Sequence, residues 1–161
     1  MNDFQWPPEK IVSGGQTGVD RAGLDWAIQN GIAHGGWCPN GRLATDGPLP
    51  PRYHLRETDS SGYRQRTKLN VRDSDATLIF NIGKMDGGTL QTVRFAQTLT
   101  QPHYIFQLEQ ASPAACDEMM RWWRALGARS LNIAGPREEK RPGIYLATLA
   151  ILDSCKSTIT A

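Results

Sequence analysis

A chain of 161 residues with 39% apolar and 21% charged residues has the size of one globular domain, enough to bury a core without disulfide or metal staples. A net charge of +2 makes no case for nucleic acid or an anionic membrane surface, and no run approaches the roughly 20 apolar residues of a membrane-spanning helix. Three widely spaced cysteines, Cys38, Cys116 and Cys155, make neither a disulfide framework nor a zinc signature and read as small buried hydrophobes. The first residues lack a basic region and an apolar core of the secretory kind, so the expected compartment is the cytoplasm. One domain over 1–161 is expected, with 1–9 as a loosely ordered lead-in.

Strand and helix signals alternate from there on. A first strand is expected at 10–13, followed by a glycine turn and a helix from Val19, whose apolar residues Ala22, Trp26 and Ala27 recur at helical spacing. Thr17 reads as its N-cap, with Asp20 three residues on in the manner of a capping box. Asn30-Gly31 stops the helix, and 32–37 reads as a second strand. Residues 38–51 are too rich in Gly and Pro for regular structure; loops of that length in a compact domain are usually functional or mobile. A short strand at 54–58 and a helix at 62–74 follow. Residues 76–82 are almost continuously apolar, the mark of a strand covered on both faces of a parallel sheet. Then come a helix over 89–99, a strand over 103–108, and a helix opened by Ser112-Pro113 and stopped at Gly127. A last strand at 130–134 and a closing helix at 142–153 complete the chain. The alternation predicts a doubly wound, mainly parallel α/β sheet with helices on both faces. Right-handed crossovers then bring the loops leaving the strands to one edge, where such folds bind ligands.

Two loops at that edge suit an anion. Gly14, Gly15, Gln16, Thr17 and Gly18 lead into a helix start, where free N–H groups and the positive dipole end favour phosphate. The spacing is neither the GxGxxG fingerprint nor a Walker loop. Asp20 weighs against an anion there; it could instead meet a ligand hydroxyl or amine, while Arg21 could offset its charge. Gly87, Gly88 and Thr89 repeat the logic at a second helix start, and together the loops could grip both ends of a phosphorylated ligand. Arg42 and Asp46 sit in the long loop, and an arginine there can hold a phosphate with two hydrogen bonds. Arg64, Arg66, Lys68 and Arg72 read as a solvated basic helix face, from which Arg64 or Arg66 could turn inward. Arg137 and Glu138 after the last strand read either as ligand contacts or as a surface pair. The histidines lie on separate elements without metal spacing, so neither a metal site nor a catalytic residue is assigned.

Several stretches taken together resemble one family. They are 13–22 with Ser13-Gly14-Gly15-Gln16-Thr17-Gly18, Trp37-Cys38-Pro39 with Gly41-Arg42 and Asp46-Gly47, residues 73–77, Gly87-Gly88-Thr89, and Ala134-Gly135-Pro136-Arg137-Glu138. Over nearly the whole chain these are similar to the family known as putative molybdenum carriers. That family belongs with the Rossmann-like LOG and lysine-decarboxylase-like group, which binds nucleotides and nucleotide-derived ligands. The resemblance implies a Rossmann-like fold, self-association as a dimer or tetramer, and a small phosphate-bearing ligand, either a nucleotide or the molybdenum cofactor, a molybdopterin whose metal would arrive on the pterin. Neither nucleic acid nor a membrane is implied. LOG enzymes cleave cytokinin riboside monophosphates with a catalytic glutamate in a Pro-Gly-Gly-x-Gly-Thr-x-x-Glu motif. Here Thr92 stands at the position of that glutamate. The resemblance therefore leaves enzymatic activity open and favours holding the ligand over cleaving it, with LOG-like hydrolysis or nucleotide sensing as alternatives.

Overall fold

The structure, a computed structural model, describes residues 6–160, with side chains over 6–155. The strands are β1 (Lys10–Val12), β2 (Ala33–Gly35), β3 (Trp37–Cys38), β4 (Arg56–Glu57), β5 (Ala76–Asn81), β6 (His103–Gln107) and β7 (Ser130–Ala134). The helices are α1 (Val19–Gln29), α2 (Tyr63–Arg72), α3 (Gly87–Thr98), α4 (Pro113–Leu126) and α5 (Ile144–Thr160), with a short 3-10 turn at Leu108–Gln110. Five strands form one parallel sheet in the order β2-β1-β7-β5-β6. Helix α5 contacts both α1 and α4, and α2 packs on α3. Right-handed crossovers put leftward connections on one face and rightward ones on the other. The α/β class and the parallel, doubly wound sheet expected from the sequence are therefore found.

The order carries a further message. Counting β7 as the first strand makes the sheet 3-2-1-4-5, the order of dinucleotide-binding sheets. The central strand thus comes last in the chain. The switch point, where the winding reverses, lies between β7 and β5. Strand β5 is buried at every position, and its polar members are paired: Thr77 Oγ1 donates to Gln101 Oε1 at 2.6 Å, and Asn81 Nδ2 to Gln107 Oε1 at 2.9 Å. At the other end of the sheet, Asp75 pins β7 to β5, its carboxylate accepting the N–H groups of Arg129 and Ser130 at 2.9 and 3.0 Å. The Ser130 and Arg129 amides hold the Asp75 carboxyl below its usual range. Its folded pKa lies below the unfolded value of about 3.9, so this pairing stabilises the fold above that pH and is lost as the pH falls further. Asp75→Asn should flatten the fall of Tm between about pH 5 and 2, as measured by scanning calorimetry.

Local departures from expectation have local causes. Residues 1–5 of the expected lead-in lie outside the described residues. From Trp6 the chain is part of the core: Trp6 packs on Trp26 and Trp123 with ring centroids 5.8 and 6.0 Å apart. Trp123 is accordingly a core residue, while Trp122 packs half-buried against Tyr104. The expected strand at 32–37 breaks at Gly36, whose φ of 132° turns the chain. β2 stays in the main sheet and β3 pairs with β4 in a two-stranded one. A Cβ on Gly36 would stand 2.3 Å from the Ser13 carbonyl oxygen. Helix α4 starts and stops as expected: Ser112 Oγ accepts the Ala115 N–H at 3.0 Å, and Gly127 is left-handed. Helix α3 begins at Gly87, two residues early, and α5 begins two residues late and ends seven residues beyond 153. The three cysteines are free and buried.

Candidate functional site

A cavity of about 210 Å³ opens at the switch point between β7 and β5. Four segments meet there: the first glycine loop through Gln16 and Asp20, the start of α2 through Tyr63, Arg66 and Thr67, the start of α3 through Gly88, Thr89 and Thr92, and the turn after β7 from Ala134 to Arg137 with Lys140. In doubly wound sheets this edge is where ligands sit.

The first glycine loop, expected to be the anion site, is filled by the protein itself. Asp20 is 2% exposed. Its carboxylate takes the Arg66 guanidinium at 3.0 Å and the N–H groups of Gln16 and Gly135. Burial pushes the Asp20 carboxyl up, against the pull of Arg66 and those two amides. The capping box is not formed: Gly18 is the N-cap of α1 without a side-chain cap. Thr17 Oγ1 instead donates to Glu139 Oε2 at 2.8 Å. The loop's glycines serve close packing. A Cβ on Gly14 would lie 1.9 Å from Arg66 Nη1, on Gly15 2.7 Å from a Leu49 methyl, and on Gly18 2.4 Å from the Pro136 carbonyl oxygen.

The second loop is built the other way. A Cβ on Gly88 would meet nothing within 4 Å. Asp86 stands at the N-cap of α3 but gives its carboxylate to Lys140 Nζ at 2.7 Å rather than to the helix. That lysine holds the Asp86 carboxyl below its usual range. The first-turn N–H groups of Gly88 and Thr89 thus have no acceptor among the described residues, while Leu90 N–H reaches the Asp86 carbonyl at 3.2 Å. Two buried donors of residues that line the cavity, Gln16 Nε2 and Arg66 Nε, also lack partners among the described residues. Gln16 cannot simply turn round, because its Oε1 already accepts Thr17 N, Thr45 N and Thr45 Oγ1. Uncapped helix amides, orphaned donors and the cations Arg137 and Lys140 at the rim all seek an oxygen-rich ligand.

The structure places the other expected site residues elsewhere. Arg21 and Asp46 hold each other through two hydrogen bonds, 2.9 and 3.0 Å, with Arg21 also bound to the Gly15 carbonyl. Arg42 points its guanidinium at the carbonyls of Leu49, Pro50, Tyr53 and Leu55, and so shapes the long loop instead of presenting itself to a ligand. Glu138 caps α5, accepting the N–H groups of Gly143 and Tyr145 at 2.5 and 3.0 Å. Only Arg137 of that pair lines the cavity. Thr92 lines it too, its hydroxyl bonded to the Gly88 carbonyl at 3.0 Å. Among the residues named for a carboxylate role, Asp20 is the one on the cavity wall. Tyr63, Thr67 and Lys140 were not anticipated. The signal for the first two was present, since Tyr63, Arg66 and Thr67 fall at i, i+3 and i+4 on one helix face.

Residues 11–156 match a family described as circularly permutated YpsA SLOG. The chain belongs to that family. A permuted order is what the sheet displays, with its central strand β7 last in the sequence. SLOG proteins are LOG-like, as the motifs suggested. The crystal structure of a protein described as a putative molybdenum carrier from Syntrophus aciditrophicus SB is 44% identical to this chain. The match covers 92% of this chain and 94% of that one, with a TM-score of 0.90. Among curated proteins none matches. The family supports a nucleotide-like ligand-binding role. No helix among the described residues is long and apolar enough to cross a membrane.

Proposed function

We propose that this SLOG-family protein binds a small phosphate-bearing, nucleotide-like ligand in the switch-point cavity, with the phosphate on the first turn of α3. The observation that carries the reading is the open helix start at Gly88 and Thr89, whose N–H groups have no acceptor among the described residues. Gln16 and Arg66, which line the same cavity, each keep a buried donor without a partner among the described residues. A phosphate oxygen accepts from the α3 amides, Arg137 supplies charge, and Lys140 exchanges Asp86 for the ligand. A cavity of about 210 Å³ is smaller than the usual small-molecule pocket of about 300 Å³ or more, so part of the ligand lies at the mouth beside half-exposed Tyr63. Molybdenum cofactor is one cargo of this class. Its phosphate suits the helix start, and its metal would stay on the pterin, since no group of three or more His, Cys, Asp or Glu among the described residues is placed to hold one. Cytoplasmic binding as a dimer or tetramer belongs to the same reading, and light scattering tests the assembly.

Calorimetric titration of the purified protein with nucleoside monophosphates, molybdenum cofactor and their phosphate-free counterparts tests the proposal. It expects binding of at least one phosphorylated member, loss of binding on removing the phosphate, and an affinity drop of about tenfold in Arg137→Ala. Absence of binding by every phosphorylated member overturns it.

A second reading rests on Asp20. This buried carboxylate on the cavity wall suits a general base for water attacking the anomeric carbon of a nucleotide, the free base leaving with a proton. Release of free base by the native protein but not by a folded Asp20→Asn variant would favour hydrolysis over carriage.

A further inference from the structure

A second cavity, of about 300 Å³, lies on the outer flank of the sheet and shares no lining residue with the switch-point cavity. Its walls come from β1 and β2, the chain around Trp37, the segment from His54 to Arg56, and Asp73 at the end of α2. The charge in it is lopsided. Lys10 folds over Gly35, where a Cβ would stand 3.0 Å from the lysine Cε and 3.2 Å from Nζ. Arg56 lies over the Trp37 indole, 5.6 Å from its centroid. Neither cation stands within 4 Å of a carboxylate among the described residues. The one carboxylate in the lining, Asp73, is already held by Arg72 at 2.7 Å and by Trp37 Nε1 at 2.9 Å. His34 and His54 stack with centroids 5.1 Å apart. His34 Nε2 accepts the His54 N–H at 3.1 Å, and the Arg52 backbone lies against the same ring.

We propose that this cavity is a second anion site, which takes a phosphate dianion between Lys10, Arg56 and the stacked His34–His54 pair. Lys10 and Arg56, neither of them within 4 Å of a carboxylate among the described residues, supply the charge, Gly35 supplies the room for Lys10, and protonation of the imidazoles adds positive charge. Burial, His54 and Lys10 together hold the His34 imidazole below its usual range. The groups facing the pair are Lys10 on β1, Arg56 on β4, the Arg52 carbonyl and the Asp73 carboxylate held by Arg72 and Trp37, so an entering dianion offsets the neighbouring positive charge that helps to hold His34 low. Binding therefore takes up protons and tightens as the pH falls through the histidine range.

Sulfate is the first probe, because it stays a dianion across this range. The imidazole proton resonances of His34 and His54 are titrated with acid in sulfate and in chloride at matched ionic strength. The expected result is a rise of the pair's apparent pKa by about one unit in sulfate, which is about tenfold tighter binding to the protonated form. The double variant Lys10→Met/Arg56→Met, shown folded by circular dichroism, should lose that rise, and Gly88→Asp should keep it. Inorganic phosphate and a nucleoside monophosphate then compete with sulfate. Competition by phosphate alone assigns a free anion, and competition by both assigns a phosphate ester. An unchanged titration in sulfate, an equal rise in the double variant, or its loss in Gly88→Asp would overturn the proposal. The last control keeps this site's failure separate from that of the α3 site.

Discussion

Gly88→Asp should weaken binding of the phosphorylated ligand by about 100-fold, about 2.7 kcal/mol, while leaving the protein as stable as before or slightly more so. The space around Gly88 is open and the residue lies inside α3, so the new side chain fits without strain. Its carboxylate then occupies the positive end of the helix and repels the incoming phosphate. A carboxylate in the first turn also favours the helix by about 0.3–1 kcal/mol, and aspartate is a better helix former than glycine. A rise in Tm of up to about 3 °C, together with the lost affinity, separates a damaged site from a damaged fold. Gly14→Ala makes the contrast. Its Cβ would displace Arg66 from Asp20, so stability suffers first.

Arg42→Ala should be among the most destabilising single changes in the chain. Its guanidinium donates to four backbone carbonyls, those of Leu49, Pro50, Tyr53 and Leu55, at 2.7 to 3.3 Å. The group it organises includes the buried side chains of Leu49, Tyr53 and Leu55, which pack on Leu24 and Cys38. Losing the donors leaves partly buried carbonyls unmet and frees that loop, at a cost of about 3–5 kcal/mol and a Tm lower by about 10 °C. Arg42→Lys restores little, since an ammonium is a compact point charge that cannot reach four acceptors spread around a planar fork. Thermal melts of the three proteins decide the matter. A Tm within about 1 °C of native, with lost ligand affinity, would mean that Arg42 serves the ligand.

The regular elements were legible because their signals are local. The apolar run of β5, the Ser112-Pro113 start of α4 and the left-handed Gly127 each specify a state within a few residues. The permuted sheet order was not, because it depends on which strands pair and no local pattern records that β7 lies between β1 and β5. The site was half legible for the same reason. A glycine-rich helix start reads identically whether its amides face a ligand or the protein's own carboxylate. At the first loop the tertiary fold delivers Arg66 and seats Asp20 on the amides, and at the second it draws Asp86 away to Lys140 and leaves the amides open. Arg42 shows the same limit, since only the folded loop curls its carbonyls around the guanidinium.

The central claim is therefore a choice between two helix starts, and one titration addresses it. Backbone amide spectra recorded while a nucleoside monophosphate is added, with the matching nucleoside as control, should show the N–H resonances of Gly88 and Thr89 moving strongly with the phosphate alone, as charge-assisted hydrogen bonds form. Those of Gly14, Gly15 and Gly18 should stay nearly still. Strong shifts in the first loop with Gly88 and Thr89 unmoved would contradict the account.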